Sequence, residues 1–194
     1  MVELIGSNKI KTAVFISGIG SNLKNLIKFS LLKKSPIKVS FIVTNNNKAK
    51  GLNFAKKYKI KKKTYNFKNK KLSEKLILRD LKKNEINLIC LAGFMKILSA
   101  NFIKKFDGNI LNIHPSLLPK YKGLNTHKRV LENNERFSGC TVHCVNSSLD
   151  SGKIILQKKI LVSKKDTPTT LKKKILKQEH LLYPKAINKL LANL

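Results

Sequence analysis

Apolar residues recur along the first half of the chain in short blocks separated by segments with helical spacing. The blocks predict strands at 12–16, 37–43, 60–65, 87–92 and 109–113. Apolar residues spaced three or four apart predict helices at 22–32, 48–58 and 72–83. Strands that alternate with helices indicate a parallel sheet with helices on both faces and right-handed crossovers.

The pattern changes in the second half. Ser99 is predicted to cap a brief helix that ends at Lys105, and a further helix ends near Glu132. Strand-type segments at 139–145 and 153–162 then follow each other around the turn Asp150-Ser-Gly152, which indicates an antiparallel pair. A last helix is predicted from Pro168 to about Ala192.

Length and composition fit a single globular domain. The chain has 194 residues, of which 42% are hydrophobic, and no apolar run long enough to span a membrane. Met1-Val-Glu-Leu-Ile5 is too short and too acidic for a signal peptide. The three cysteines lack paired metal-ligand spacing, which indicates free thiols and a cytoplasmic location.

The charge is strongly basic, with 41 Lys and Arg against 10 Asp and Glu, a net charge of +31. Such an excess suggests a nucleic-acid-binding module. However, 38 of the 41 cations are lysines scattered over every segment, and the chain has no Trp for base stacking. Compositional drift is therefore favoured, although the positive field would also steer anionic ligands to the protein.

A glycine turn, Gly18-Ile-Gly-Ser-Asn22, lies between the first predicted strand and the first predicted helix. Backbone N–H groups and the helix dipole at such a place suit a phosphate group. The alternative is a tight turn in which Ser21 or Asn22 caps the helix.

Asn112 and His114 lie two residues apart at the end of a predicted strand, so they share one face at the edge where parallel sheets bind ligands. An amide donor beside an imidazole suits a carbonyl oxygen that becomes negative. Pro115 restricts His114 to an extended backbone. The alternative for His114 is a hydrogen-bonded loop histidine.

Asp150 is a rare carboxylate that could orient and charge a histidine, although an Asx turn is the competing interpretation. The remaining histidines, His127, His143 and His180, show no metal-ligand spacing, so no metal is predicted. His143 in its strand is expected to be packed or hydrogen-bonded rather than catalytic.

Several segments together resemble one family. They are Phe15–Leu23, Leu91–Leu98, Asn112–Gly123, Gly139–His143 and Leu149–Asp150. In this order they are similar to phosphoribosylglycinamide formyltransferases, folate-dependent enzymes of purine biosynthesis, over residues 11 to 184. The resemblance implies a Rossmann-like three-layer α/β sandwich with a mostly parallel central sheet and an antiparallel C-terminal portion. It also implies one domain over 1–194, with a phosphate-binding half at about 11–100 and a catalytic, folate-binding half at about 101–194.

The family's activity would transfer a formyl group from the cosubstrate 10-formyltetrahydrofolate to the amine of glycinamide ribonucleotide, without a metal. Its catalytic residues correspond to Asn112, His114 and Asp150. Its ribonucleotide contacts correspond to Gly20, Ser21, Asn22, Gly93 and Glu179. Its folate contacts correspond to Lys70, Met95, Lys96, Ile97, Leu98 and Asn112. The resemblance further implies small-molecule partners, no specific nucleic acid, no membrane, and a monomer or weak homodimer.

The chain departs from the family pattern in two places. The segment Asn146-Ser-Ser-Leu-Asp-Ser-Gly152 lacks the acidic residue or two that often precede the catalytic Asp in the family and the second glycine that often follows it. Lys70 and Lys96 stand where many relatives have Arg, and a lysine cannot form the forked bonds of a guanidinium, so altered folate contacts are expected. Sister activities on methionyl-tRNA or on water are expected to need further domains.

Overall fold

A computed structural model describes residues 9–192, so Met1–Ile5 lie outside the described residues. The chain divides into two compact units. The first unit comprises the chain up to Lys96 together with Lys105–Asn109. The second comprises Ile97–Lys104 and the chain from Ile110 onward. The single domain over 1–194 with its two predicted halves stays a prediction.

The first unit contains a parallel arrangement of strands. They are β1 (Ile10–Ile16), β2 (Ile37–Thr44), β3 (Lys61–Thr64) and β4 (Leu88–Leu91). β1 pairs in parallel with both β2 and β4, and β2 pairs in parallel with β3, so the order is β3-β2-β1-β4. The helices are α1 (Ser21–Leu31), α2 (Leu52–Lys57) and α3 (Lys70–Lys83). β1 is buried from Thr12 to Ile16, as its continuous apolar block predicts.

The C-terminal strands are antiparallel. They are β5 (Asn109–His114), β6 (Phe137–Cys144) and β7 (Ile154–Leu161). β6 pairs antiparallel with both β5 and β7. The helices in this part of the chain are α4 (Ala100–Lys105), α5 (Thr126–Glu132) and α6 (Pro168–Leu191). The strands are parallel in the first unit and antiparallel in the C-terminal part of the chain, so the predicted α/β fold with an antiparallel C-terminal portion is confirmed.

Two helix starts differ from the sequence prediction for identifiable reasons. α2 begins at Leu52 rather than at residue 48, because the Gly51 N–H donates to the Gly18 carbonyl at 3.0 Å and so belongs to a turn. α3 begins at Lys70 rather than at residue 72, because the Asn69 side chain accepts a bond from the Leu72 N–H at 2.9 Å and caps the helix.

The predicted cap of the short helix α4 is confirmed. The Ser99 hydroxyl oxygen accepts a bond from the Phe102 N–H at 3.0 Å. A side-chain acceptor at this place satisfies one of the N–H groups that a helix start leaves without an intrahelical partner.

Candidate active site

The glycine turn of the first unit begins α1. Gly20 is the N-cap residue, with φ at 76°, in the left-handed region that favours glycine. A Cβ at Gly20 would lie 2.7 Å from the Gly51 Cα, so only glycine fits. Since the N-cap residue has no side chain, the alternative in which Ser21 or Asn22 is the cap is wrong. The turn presents the start of an 11-residue helix whose first turn holds no acidic residue.

Gly93 and Met95 lie next to the end of β1 in the same unit. The Ser17 N–H donates to the Gly93 carbonyl at 3.1 Å, and the Met95 N–H donates to the Ser17 hydroxyl at 2.7 Å. Phe94 packs edge-on against Phe15, with ring centroids 5.3 Å apart. The Met95 side chain is 60% exposed. The structure therefore places Gly93, a predicted ribonucleotide contact, and Met95, a predicted folate contact, beside Ser17. Ser17 is the residue that precedes the glycine turn.

The other predicted ligand contacts differ in exposure. Lys96 and Ile97 are exposed, whereas the Leu98 side chain is 5% exposed and belongs to the core. Lys70 is the first residue of α3, and its ammonium lies 4.0 Å from a Glu74 carboxylate oxygen. These four residues stay predictions as folate contacts.

Glu179, the predicted ribonucleotide contact in the last helix, is 7% exposed on α6. Burial, together with the charge of Glu179, raises the pKa of the nearby Cys140 thiol to about 12. Cys140 is therefore an inert core thiol at physiological pH. The role of Glu179 in ligand binding stays a prediction.

Asn112, His114 and Asp150 lie together in the second unit. Asn112 and His114 are alternate residues of β5, so their side chains share a face of the sheet. The His114 Nδ1 lies 3.3 Å from one Asp150 carboxylate oxygen, and the Asn112 amide nitrogen donates to the other at 3.4 Å. The predicted trio is thus one cluster, in which Asp150 accepts a hydrogen bond from Asn112 and makes an ion-pair contact with His114.

Asp150 is fixed by its backbone and by the loop opposite. Its φ is 46°, a left-handed conformation that an aspartate tolerates better than most residues. One carboxylate oxygen accepts a bond from the Gly123 N–H at 2.9 Å. The side-chain contacts of Asp150 thus go to the cluster and to Gly123, and not to its own turn as an Asx turn would require. A catalytic role for Asp150 stays a prediction.

His143 is packed and hydrogen-bonded, as the sequence predicts, but its place in the cluster was not predicted. It pairs with Asn112 across the two antiparallel strands, and it is 2% exposed. Its Nδ1 lies 2.8 Å from the Cys144 carbonyl, so this nitrogen is the donor, and Nε2 can accept from the Asn112 amide at 3.2 Å. His143 Nε2 also lies 3.6 Å from Asp150. The signal that could have found it is the register between the two strands, because directly opposed residues share a face.

His114 has an acceptor at each ring nitrogen. Nε2 lies 2.8 Å from the Tyr121 backbone carbonyl, and Nδ1 faces Asp150. A carbonyl and a carboxylate can only accept, so both bonds are made at once only when the ring is protonated. His114 is therefore both the loop-bonded histidine of the alternative interpretation and a member of the cluster.

Burial and hydrogen bonds act in opposite directions on the two titrating groups. Burial lowers the pKa of His114, while the Tyr121 carbonyl and Asp150 oppose this shift. Burial alone would raise the pKa of Asp150, but the adjacent His143 ring, the bond from the Gly123 N–H and the charge of His114 hold that pKa below its usual value. Asp150 is therefore ionised near neutral pH, beside an imidazole that can gain or lose a proton.

This chain is similar to known proteins over most of its length. The pattern of the family described as Formyl transferase matches residues 10–187. A trifunctional purine biosynthetic protein adenosine-3 of Gallus gallus is 42% identical over 94% of this chain. A phosphoribosylglycinamide formyltransferase of Haemophilus influenzae is 40% identical over 91% of this chain and 85% of its own length. A crystal structure of phosphoribosylglycinamide formyltransferase from Anaplasma phagocytophilum has a TM-score of 0.89 at 39% identity, covering 96% of this chain and 88% of that one.

The chain belongs to the formyl transferase family. The family resemblance predicted from the sequence is thereby confirmed. The chain spans only 18% of the length of the Gallus gallus protein, so that protein's full set of activities does not come with the match.

The altered loop of this formyl transferase keeps the glycine that its geometry requires. Ser151 is exposed and has no positive φ, so its backbone conformation does not require a glycine. At Gly152, in contrast, a Cβ would lie 1.8 Å from the Cys144 carbonyl oxygen. The departure at Ser151 is therefore compatible with the conformation that holds Asp150 in the cluster.

Two features that the described residues lack bear on other classes of function. Among residues 9–192, no three His, Cys, Asp or Glu side chains are grouped as a metal ion would require. Metal independence stays a prediction. None of the described helices combines the length and apolar character needed to cross a bilayer.

His127 of α5 should make this formyl transferase sensitive to acid. Burial, with the charges of Lys172 and His114, lowers the pKa of His127 to about 4, and its Nδ1 has no hydrogen-bond partner among the described residues. Between pH 6.5 and 4 the unfolded chain binds a proton that the folded chain does not, so stability falls as the pH falls. Urea unfolding at pH 7 and pH 5 should show that the wild type loses up to about 1 kcal/mol more than His127→Gln. Equal losses in the two proteins would contradict this assignment.

Proposed function

We propose that this chain transfers the formyl group of 10-formyltetrahydrofolate to the primary amine of glycinamide ribonucleotide. The products are formylglycinamide ribonucleotide and tetrahydrofolate, within de novo purine biosynthesis. The observation that carries the proposal is the cluster of Asn112, His114 and Asp150 in a chain of this family. An amide donor and an imidazole charged by a carboxylate are the groups that acyl transfer to an amine requires.

The reaction moves one acyl group and one proton. The amine nitrogen attacks the formyl carbon, and the formyl oxygen becomes an oxyanion in a tetrahedral intermediate. The bond from that carbon to N10 of the folate then breaks. One proton leaves the attacking nitrogen, and one is delivered to N10, so charge and atoms balance. His114 and Asp150 are suited to carry this proton, directly or through a water, because the His114 Nδ1 lies 3.3 Å from an Asp150 carboxylate oxygen.

The oxyanion is stabilised by two groups with different roles. The Asn112 amide nitrogen has two N–H groups, which face His143 and Asp150 in the free protein, and one of them would turn to the formyl oxygen. Both ring nitrogens of His114 already face protein oxygens. We therefore propose that His114 stabilises the oxyanion through the positive charge of its imidazolium, in addition to any hydrogen bond that it shares with the oxyanion. The carboxylate of Asp150 stabilises the positive charge of the His114 imidazolium.

The proposed reaction also assigns ligand contacts, a cellular location and an oligomeric state. Gly20, Ser21 and Asn22 would bind the ribonucleotide phosphate through the start of α1. The exposed Met95 would contact the folate. We further propose a cytoplasmic protein that acts as a monomer or weak homodimer on small molecules, without nucleic acid.

Formyl transfer by the purified full chain tests the proposal. Tetrahydrofolate release is followed by absorbance with 10-formyltetrahydrofolate, with and without glycinamide ribonucleotide. We expect release only when the ribonucleotide is present. Folate release without the ribonucleotide would indicate a deformylase, and no release by folded protein would contradict the proposal.

Asn112→Ala is the matching test of the amide donor. It should lower kcat by about 10²-fold, because one donor to the developing oxyanion is removed. Asn133→Ala is the control, since Asn133 is an exposed residue at the end of α5 whose side chain bonds only the Arg129 carbonyl. An Asn112→Ala variant with wild-type kcat would remove Asn112 from the mechanism.

A further inference from the structure

The loop that follows β5 holds Tyr121 in an unusual backbone conformation. Its φ is 55°, in the left-handed region that costs a non-glycine residue about 1 kcal/mol or more. This conformation directs the Tyr121 carbonyl to two donors. His114 Nε2 lies 2.8 Å from it, and the Ser116 hydroxyl donates to it at 3.3 Å. The position of the Tyr121 carbonyl oxygen therefore determines where the Nε2 edge of the His114 ring lies.

The Tyr121 side chain is held from outside the loop. Its hydroxyl donates to a Glu135 carboxylate oxygen at 2.9 Å. The Arg129 guanidinium lies 5.3 Å from the ring centroid, on the ring face, and also donates to the Lys122 carbonyl at 2.7 Å. Glu135 and Arg129 come from α5 and the segment after it, so two contacts anchor the loop to a neighbouring element.

Packing alone does not determine where Tyr121 lies. A cavity of about 220 Å³ borders the ring, with Leu117, Val130 and Phe137 among its lining residues. Space on this scale would allow the ring to shift, so the polar contacts to Glu135 and Arg129 decide its position.

We infer that Glu135, acting through the Tyr121 hydroxyl and backbone carbonyl, is a positioning residue for His114 in the formyl-transfer reaction. The expected effect on kcat rests on the proposed function. The claim that Glu135 and Tyr121 position the His114 ring does not depend on it. Glu135 touches neither Asn112 nor Asp150 in the described contacts, and it acts only through Tyr121. Its carboxylate is well suited to this task, since bonds from Lys120 and Tyr121 hold its pKa below the usual value and keep it ionised.

The charge environment of His114 sets the direction of the expected effect. Asp150 from the loop after β6 favours the protonated ring, whereas His143 of β6 and Arg129 of α5 disfavour it. His127 of α5 also lies close enough to interact with it. Burial lowers the pKa of His114, and the Tyr121 carbonyl raises it. If that carbonyl moves away, the pKa of His114 must fall.

Tyr121→Phe and Glu135→Ala test the inference, with Glu135→Gln as the conservative variant. We expect the first two to lower kcat about tenfold with KM within about twofold of wild type, because neither residue is among the predicted ligand contacts. The alkaline limb of the kcat profile should move to lower pH, since the protonated ring is lost earlier as the pH rises. Glu135→Gln should retain most of the activity, because its amide oxygen can still accept the Tyr121 hydroxyl bond.

The imidazole titration of His114, followed by NMR, gives a readout that needs no substrate. The chain has four histidines, so the His114 signal is identified by its loss in His114→Gln. A lower pKa in Tyr121→Phe and Glu135→Ala supports the inference even if formyl transfer itself is not observed. An unchanged pKa and an unchanged kcat in these variants overturn it, whatever the substrate.

Lys120→Met is the matched control. Lys120 donates to the same Glu135 oxygen at 2.8 Å, but its side chain is 66% exposed and does not hold the ring. We expect Lys120→Met to have the kcat, KM and His114 titration of the wild type. If Lys120→Met shifts the titration as far as Tyr121→Phe does, the effect comes from the charge of Glu135 and not from positioning, and the inference fails.

Discussion

Replacing Asp150 with asparagine is expected to lower kcat on the order of 10³-fold while the protein stays folded. The carboxylate has four partners at once: His114, His143, Asn112 and the Gly123 N–H. The charge that supports the His114 imidazolium disappears in the variant. The size and shape of the side chain hardly change, and asparagine tolerates the left-handed φ of 46° at this position.

The pH dependence separates a charge effect from a general disturbance of the site. Asp150 raises the pKa of His114. Without it, burial and the nearby charges of His143 and Arg129 hold that pKa still lower. The residual activity of Asp150→Asn should therefore rise as the pH is lowered from 8 to 6, because more of the ring becomes protonated.

Asp107→Asn is the control for this substitution, since Asp107 is exposed and lies in a different unit. It makes the same change of side chain and of net charge. Single-turnover formyl transfer and urea unfolding of both variants complete the comparison. A kcat within tenfold of wild type for Asp150→Asn would remove Asp150 from the reaction.

The fold could be predicted from the sequence because its strands are continuous apolar blocks. The sequence prediction placed each strand within a few residues of its position in the structure, since a buried strand needs little more than apolar residues bounded by polar turns. The errors concern helix starts, and there single contacts decide. Gly51 bonds to the carbonyl of Gly18, a residue far away in sequence, and so delays α2 in a way that helical spacing cannot show.

The site was predictable only as far as its residues lie close in sequence. Asn112 and His114 share a strand face, and the period of two brings them together. His143 joins them through the register of two strands, which depends on the intervening loop and its length. The Tyr121 carbonyl is a backbone atom in a left-handed conformation, so no side-chain pattern indicates it. The part of the site that could not be predicted is therefore the part that rests on backbone geometry.

Gly152→Ala should be among the most destabilising single substitutions in this chain. An alanine Cβ at this position would lie 1.8 Å from the Cys144 carbonyl oxygen and 2.7 Å from its carbon. The strand end cannot yield easily, because the Cys144 N–H donates to the Lys153 carbonyl at 2.9 Å. Overpacking against fixed backbone costs about 1–3 kcal/mol, and we expect the free energy of unfolding to fall by at least about 2 kcal/mol.

The same substitution should also disturb the chemistry. The Cys144 carbonyl that the new methyl group would displace is the acceptor for the His143 Nδ1 at 2.8 Å. When that carbonyl moves, His143 loses the bond that fixes its tautomer, and with it the acceptor that faces Asn112. The folded fraction of Gly152→Ala should therefore have a reduced kcat as well as a lower urea midpoint.

Gly18→Ala is the matched control for stability. A Cβ at Gly18 would meet nothing within 4 Å, and its φ is not in the left-handed region. Urea unfolding should therefore give Gly18→Ala a free energy of unfolding equal to that of the wild type or higher, because alanine restricts the unfolded chain. If Gly152→Ala were as stable as Gly18→Ala, the backbone at Cys144 would have to move easily to accommodate the methyl group. The hydrogen bond that fixes the His143 tautomer would then have to form without this rigid backbone contact.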